Sequence, residues 1–105
     1  MDSREMYNAT NHLTTLVTWD KDWVHFGTED EVKFDLVKTL IKDHLNDNEL
    51  LFIHHRTNSG QYNHKIIIDS ITHLLGKEDF LLWTTTMDKV IEFNKIGVLR
   101  LGQKK

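Results

Sequence analysis

Neither cysteine nor proline occurs among the 105 residues. Without thiols there is no disulfide, no thiolate nucleophile and no iron-sulfur or cysteine-zinc centre, and the composition fits a reducing cytoplasm, the expected location. Without proline, and with no serine-glycine tract, repeat or low-complexity segment, nothing marks a linker, so residues 1–105 read as one domain. A secretory signal is also missing: Met1-Asp2-Ser3-Arg4-Glu5 lacks the basic start and the apolar run that follows one, and no later apolar stretch approaches the ~20 residues of a membrane helix. A soluble chain without membrane contact is expected. A basic excess is absent as well. Thirteen lysines and arginines against sixteen acids leave a formal charge of -3, and the bases are dispersed apart from Lys104-Lys105. A nucleic-acid binder needs a basic stripe to displace counterions from phosphate, so no nucleic-acid partner is expected.

The hydrophobic spacing divides the chain into alternating elements. Asp2 and Glu5 form a capping box ahead of Met6, Ala9, Leu13, Leu16 and Val17, which share one side of a helix over residues 3–18; a strand across the β-branched residues 13–19 competes. Residues 23–26 read as a short strand stopped by Gly27. Thr28 with Glu31 then opens a helix over 29–45 with Val32, Leu36, Val37, Leu40, Ile41 and Leu45 on its core face. Leu50-Leu51-Phe52-Ile53 is a continuous apolar run, the mark of a strand covered on both faces, ending at His54 or His55. Asn58 or Ser59 caps a third helix, with Gln61 at the reciprocal position and Gly76 as its stop. Phe80-Leu81-Leu82-Trp83 repeats the buried-strand run. Thr84-Thr85-Thr86 caps a short helix reaching about Asn94, before a last strand over 96–101; a hairpin turning at Asn94-Lys95 explains the same stretch. Strands alternating with helices predict an α/β domain, order α-βα-βα-βα-β or a variant ending in a hairpin, on a mostly parallel sheet of three to four strands.

In a parallel sheet every strand-to-helix junction lies on the carboxyl edge, where helix N-termini meet anions. That would gather Thr28, the loop Thr57-Asn58-Ser59-Gly60 and the pair Thr84-Thr85 into a ligand-binding edge for a small anion. The same residue types are what caps and turns require in any fold, and none of the loops matches a phosphate-loop or dinucleotide glycine pattern. His54-His55-Arg56 is the densest catalytic candidate, combining proton shuttles with a guanidinium able to grip a carboxylate. Alternation along a regular strand would leave only one of the two histidines beside Arg56 and turn the other under a helix. The seven histidines show no metal-ligand spacing, Asp20 and Asp22 read as a solvated turn, and no nucleophilic serine has its surroundings, so neither a metal nor a cofactor is expected. Trp83 sits in a core run. Trp19 and Trp23, beside charged residues, are placed on a partner surface, since tryptophan concentrates at interface centres. A domain this small hides only roughly two-thirds of its unfolded surface, so a second copy would add to its stability. Two functions follow: a noncatalytic protein-binding or regulatory module, working with a protein partner or as a homodimer, and, as the alternative, a small enzyme or anion-binding domain built around Arg56.

Overall fold

A computed structural model describes residues 2–55 and 58–104, the side chain of Glu29 aside. Helix α1 spans Ser3–Leu13 and begins where the sequence places it, with the Asp2 carboxylate accepting the Glu5 N–H at 2.8 Å. It is shorter than the spacing predicts. A 3-10 turn at Thr14–Leu16 leads into β1, Val17–Trp19, so the helical and the extended readings each hold for part of the segment.

After β2, Val24–His25, the expected capping box is not made. The Thr28 side chain forms no cap hydrogen bond, and residues Glu29–Glu31 close a single 3-10 turn. The Lys33 N–H is drawn back to the Phe26 carbonyl at 2.7 Å, which keeps that residue out of a helix. Helix α2 starts at Phe34, runs to Leu40 and widens into a π-helical turn over Ile41–Leu45, which Asn46 ends in the left-handed region at φ 45°.

Strand β3, Glu49–His55, is followed by β4, Asn58–Asn63, with only two residues between them. A connection that short joins antiparallel neighbours, because a parallel crossover needs a dozen residues or more. The helix expected from Asn58 or Ser59 is therefore corrected to a strand, and α3 occupies His64–Ile71 with Asn63 as its cap, accepting from the Lys65 N–H at 2.8 Å. Strand β5, Phe80–Thr84, turns into β6, Lys89–Asn94, and β6 into β7, Val98–Lys104. The short helix predicted after Thr84 is thus a strand, and the competing hairpin near Asn94-Lys95 is the one formed.

The seven strands make one sheet in the order β1-β7-β6-β5-β3-β4, with β2 also on β7, and all of the described pairings are antiparallel. The mostly parallel sheet of three to four strands is overturned. What misleads is the buried run. Leu50, Leu51, Phe52 and Ile53 are all buried, as a strand covered on both faces requires, but helices cover both faces of this antiparallel sheet. On one side Phe26, Val37, Ile41, Ile67, Ile71 and Leu75 pack against Leu50, Phe52, Leu82 and Ile91. On the other, Met6 of α1 packs with Leu51, Ile53, Trp83, Val90 and Val17. Helix α1 lies chiefly on β3 and β4, so the same face of β6 and β7 is left partly open.

Candidate functional site

In an antiparallel sheet strand ends alternate, and the predicted ligand-binding edge comes apart. Pairing of Leu50 with Thr84 and of Ile53 with Leu81 puts Thr84-Thr85 at the opposite end of the sheet from His54. Both threonines are engaged in turn structure. The Thr84 hydroxyl donates to Asp88 Oδ1 at 2.6 Å and accepts the N–H groups of Asp88 and Lys89. Asp47 Oδ2 accepts the Thr85 N–H at 3.0 Å and its hydroxyl at 2.8 Å. These bonds hold both carboxyls below their ordinary range: Asp88 through the hydroxyls of Thr84 and then Thr86, Asp47 through the Thr85 N–H first, with partial burial opposing. Thr28 is at the same end as His54 but packs beside the β6–β7 turn and Gly76, with β5 between it and β3.

Arg56 and Thr57 lie outside the described residues. Around them, a register irregularity between Ile53 and His55 breaks the alternation of β3. Instead of facing opposite sides, the His54 and His55 rings are 3.8 Å apart between centroids. His54 Nδ1 lies 3.0 Å from Asn58 Nδ2, and its Nε2 is 3.5 Å from Glu78 Oε2, close enough for attraction when the imidazole is charged but too long for a good hydrogen bond. Ser59 ties the hairpin together. Its hydroxyl donates to the His55 carbonyl at 2.7 Å and accepts the His54 N–H, while its own N–H donates to Ser3 Oγ at the start of α1. Gly60 faces the Tyr62 ring, which an added Cβ would meet at 3.1 Å. Asn58, Ser59 and Gly60 thus have local structural work in the hairpin. Among the described residues no three histidine, aspartate or glutamate side chains gather as a metal site, and no helix is long and apolar enough to cross a membrane.

A different cluster forms on the open part of the α1 face. Trp19 from β1 and Trp23 just before β2 flank Arg100 of β7, whose guanidinium carbon is 4.3 Å from the Trp19 ring centroid and 4.7 Å from that of Trp23. Arg100 also donates through Nε to Glu92 Oε1, its cross-strand partner on β6, at 2.8 Å. The close seat of Trp19 depends on Gly102, since a Cβ there would come within 2.7 Å of the indole. Arg100 and Glu92 side chains remain 29 % and 30 % exposed, and Trp23 is 39 % exposed. Glu92 further borders a cavity of about 240 Å³ between α1 and the ends of β3, β5 and β6, lined among others by Tyr7, Ile53, the predicted site residue His54, Asp79, Leu81 and Asn94.

Sequence reasoning singled out the two tryptophans but not Arg100, Glu92 or the cavity. The signal was present in the β6–β7 hairpin: Val90-Ile91-Glu92-Phe93 and Val98-Leu99-Arg100-Leu101 each carry one charge in an apolar run, and folding about residues 95–97 sets those charges opposite each other. Compared with protein-family models, curated proteins and solved structures, the chain shows no significant match to any of them.

Proposed function

We propose that the chain is a noncatalytic protein-binding module whose docking face is the Trp19–Arg100–Trp23 stack. The observation that carries this reading is the guanidinium held between two indoles on the part of the sheet face that α1 leaves open, with Trp23 left 39 % exposed. Tryptophan and arginine dominate interface energetics because they bury large flat surfaces and lose little conformational freedom when already stacked. Here the stack and the Glu92 bond fix the arginine before any partner arrives. The alternative, an anion-binding or catalytic edge around Arg56, keeps His54, His55 and the β3–β4 hairpin but loses Thr28 and Thr84-Thr85, which the antiparallel sheet sets apart from them.

The test compares wild type with Trp23→Ser, matched for folding by circular dichroism, as cross-linked baits in lysate of the source cell. The expected outcome is a partner retained by the wild type and lost by the variant. Identical retention would overturn the proposal. A thermal-shift screen with nucleotides, phosphosugars and carboxylates runs alongside: stabilisation by a small anion would favour the anion-binding alternative.

A further inference from the structure

We infer that the cavity beside α1 receives a single arginine or lysine side chain from the protein partner, an inference that rests on the proposed docking face and specifies what that face recognises. Size is the first reason. At about 240 Å³ the cavity falls short of the ~300 to 1,000 Å³ typical of small-molecule sites, and matches one long side chain better than a whole metabolite. Lining is the second. Ile53 and Leu81 give an apolar floor and Tyr7 an aromatic wall, while Asp79 and Glu92 supply carboxylates beside the imidazole of His54, and among the described residues no lysine or arginine contributes to the lining. A basic side chain has the complementary build, a hydrocarbon stem that packs on apolar surface and a charged head that seeks anions.

The strand register gathers the two carboxylates for such a head. Leu81 pairs with Glu92, and Asp79 lies two residues before Leu81, just ahead of β5, so both acids border the cavity at one end of the β5–β6 pair. Each is held by one oxygen and keeps the other without a hydrogen-bond partner among the described residues: Asp79 Oδ1 accepts the Lys95 N–H at 2.7 Å, and Glu92 Oε1 accepts from Arg100. The acids are therefore fixed in place yet able to accept more. Because Glu92 belongs both to the cavity and to the Arg100 stack, the pocket continues the docking face, with the inserted cation and Arg100 on either side of one carboxylate.

The experiment uses the whole chain and three probes, the Nα-acetyl N-methylamides of arginine, lysine and norleucine, titrated while backbone amide resonances are followed by NMR. The basic probes are expected to give saturable shifts confined to the cavity, at Tyr7, Leu81, Glu92 and Asn94, with dissociation constants in the millimolar range, and norleucine to bind about fivefold more weakly or not at all. Asp79→Asn keeps the Oδ1 acceptor for Lys95 and should weaken the basic probes about fivefold while leaving norleucine unchanged. No saturation below about 100 mM, equal binding of norleucine, or indifference to Asp79→Asn each overturns the inference. Failure of the probes while Trp23→Ser still abolishes partner retention removes only the cavity's role; retention that ignores Trp23 removes the docking face itself.

Discussion

Trp83 provides the sharpest test of the core. It is fully buried on β5 beneath α1, among Met6, Leu51, Ile53 and Val90, and its indole Nε1–H has no hydrogen-bond partner among the described residues. An orphaned buried donor costs about 1 to 3 kcal/mol. Trp83→Phe removes that donor and also roughly 40 Å³ of side chain, worth about 1 kcal/mol as residual cavity and about 1 kcal/mol as lost apolar burial. The losses and the relief are of the same size. The variant should accordingly lie within about 1 kcal/mol of wild type, a change in melting temperature of no more than about 8 °C for a chain of this length. Leu82→Ala, at the next position but on the opposite face and with no donor to relieve, should cost the full ~2 to 5 kcal/mol of a core truncation. Urea unfolding followed by far-ultraviolet circular dichroism measures both, since Trp19 and Trp23 complicate fluorescence. A loss above about 3 kcal/mol for Trp83→Phe would refute the reasoning, because it would mean that the indole N–H is satisfied in the folded protein.

Three further outcomes are expected. The lowered carboxyls of Asp47 and Asp88 contribute stability that is present above their ordinary value of 3.8 and lost as pH falls through their folded values, so the urea midpoint should decline between about pH 5 and about pH 2. Both groups are largely open to solvent, and Asp88→Asn should flatten that decline by only a few tenths of a kcal/mol; a steeper decline in the variant would contradict the sign. Gly27 has φ +93°, and a Cβ there would stand 2.5 Å from the Glu31 carbonyl oxygen, so Gly27→Ala should cost about 2 to 3 kcal/mol by the same unfolding assay, and a neutral result would show that the turn can rearrange. If a second copy is the partner, sedimentation at micromolar concentration should give a species of twice the chain mass that Trp23→Ser returns to the monomer, whereas wild-type monomer alone would rule out self-association through this face.

Local patterns in the sequence located the strands and helices better than they related them. The Asp2 cap, the run at Leu50 to Ile53 and the run at Phe80 to Trp83 are properties of a few adjacent residues, and they appear in the fold where the spacing puts them. Strand direction is not such a property. It is set by what connects two strands, and it turned on whether residues 58–63 and 84–94 were extended or helical. Asn58 and Ser59 are good helix caps, but Ser59 spends its hydroxyl on the His55 carbonyl across the hairpin. Thr84 to Thr86 are good caps too, yet Val90, Ile91 and Phe93 are better placed in a pleated surface, where they bury fully. The carboxyl edge inherited that error. The tryptophans were found because composition alone marks them, while their arginine was missed because it stands about eighty residues away in the chain.

That separation has a kinetic meaning. Val17 pairs with Lys104 and Val24 with Leu99, so β1 and β2 take their places only against a strand synthesised well after them. Until residues 98–104 emerge, β1 and β2 are short extended segments with no neighbour to pair with, and the growing chain can assemble only the nested hairpins of β3 to β6. Folding dominated by such distant pairings is slow, in the millisecond-to-second range, and leaves unpaired strand edges exposed meanwhile. The indoles meet Arg100 in the same pairing, so the proposed docking face would form only once β7 is in place, and a chain arrested earlier would present its tryptophans without their arginine.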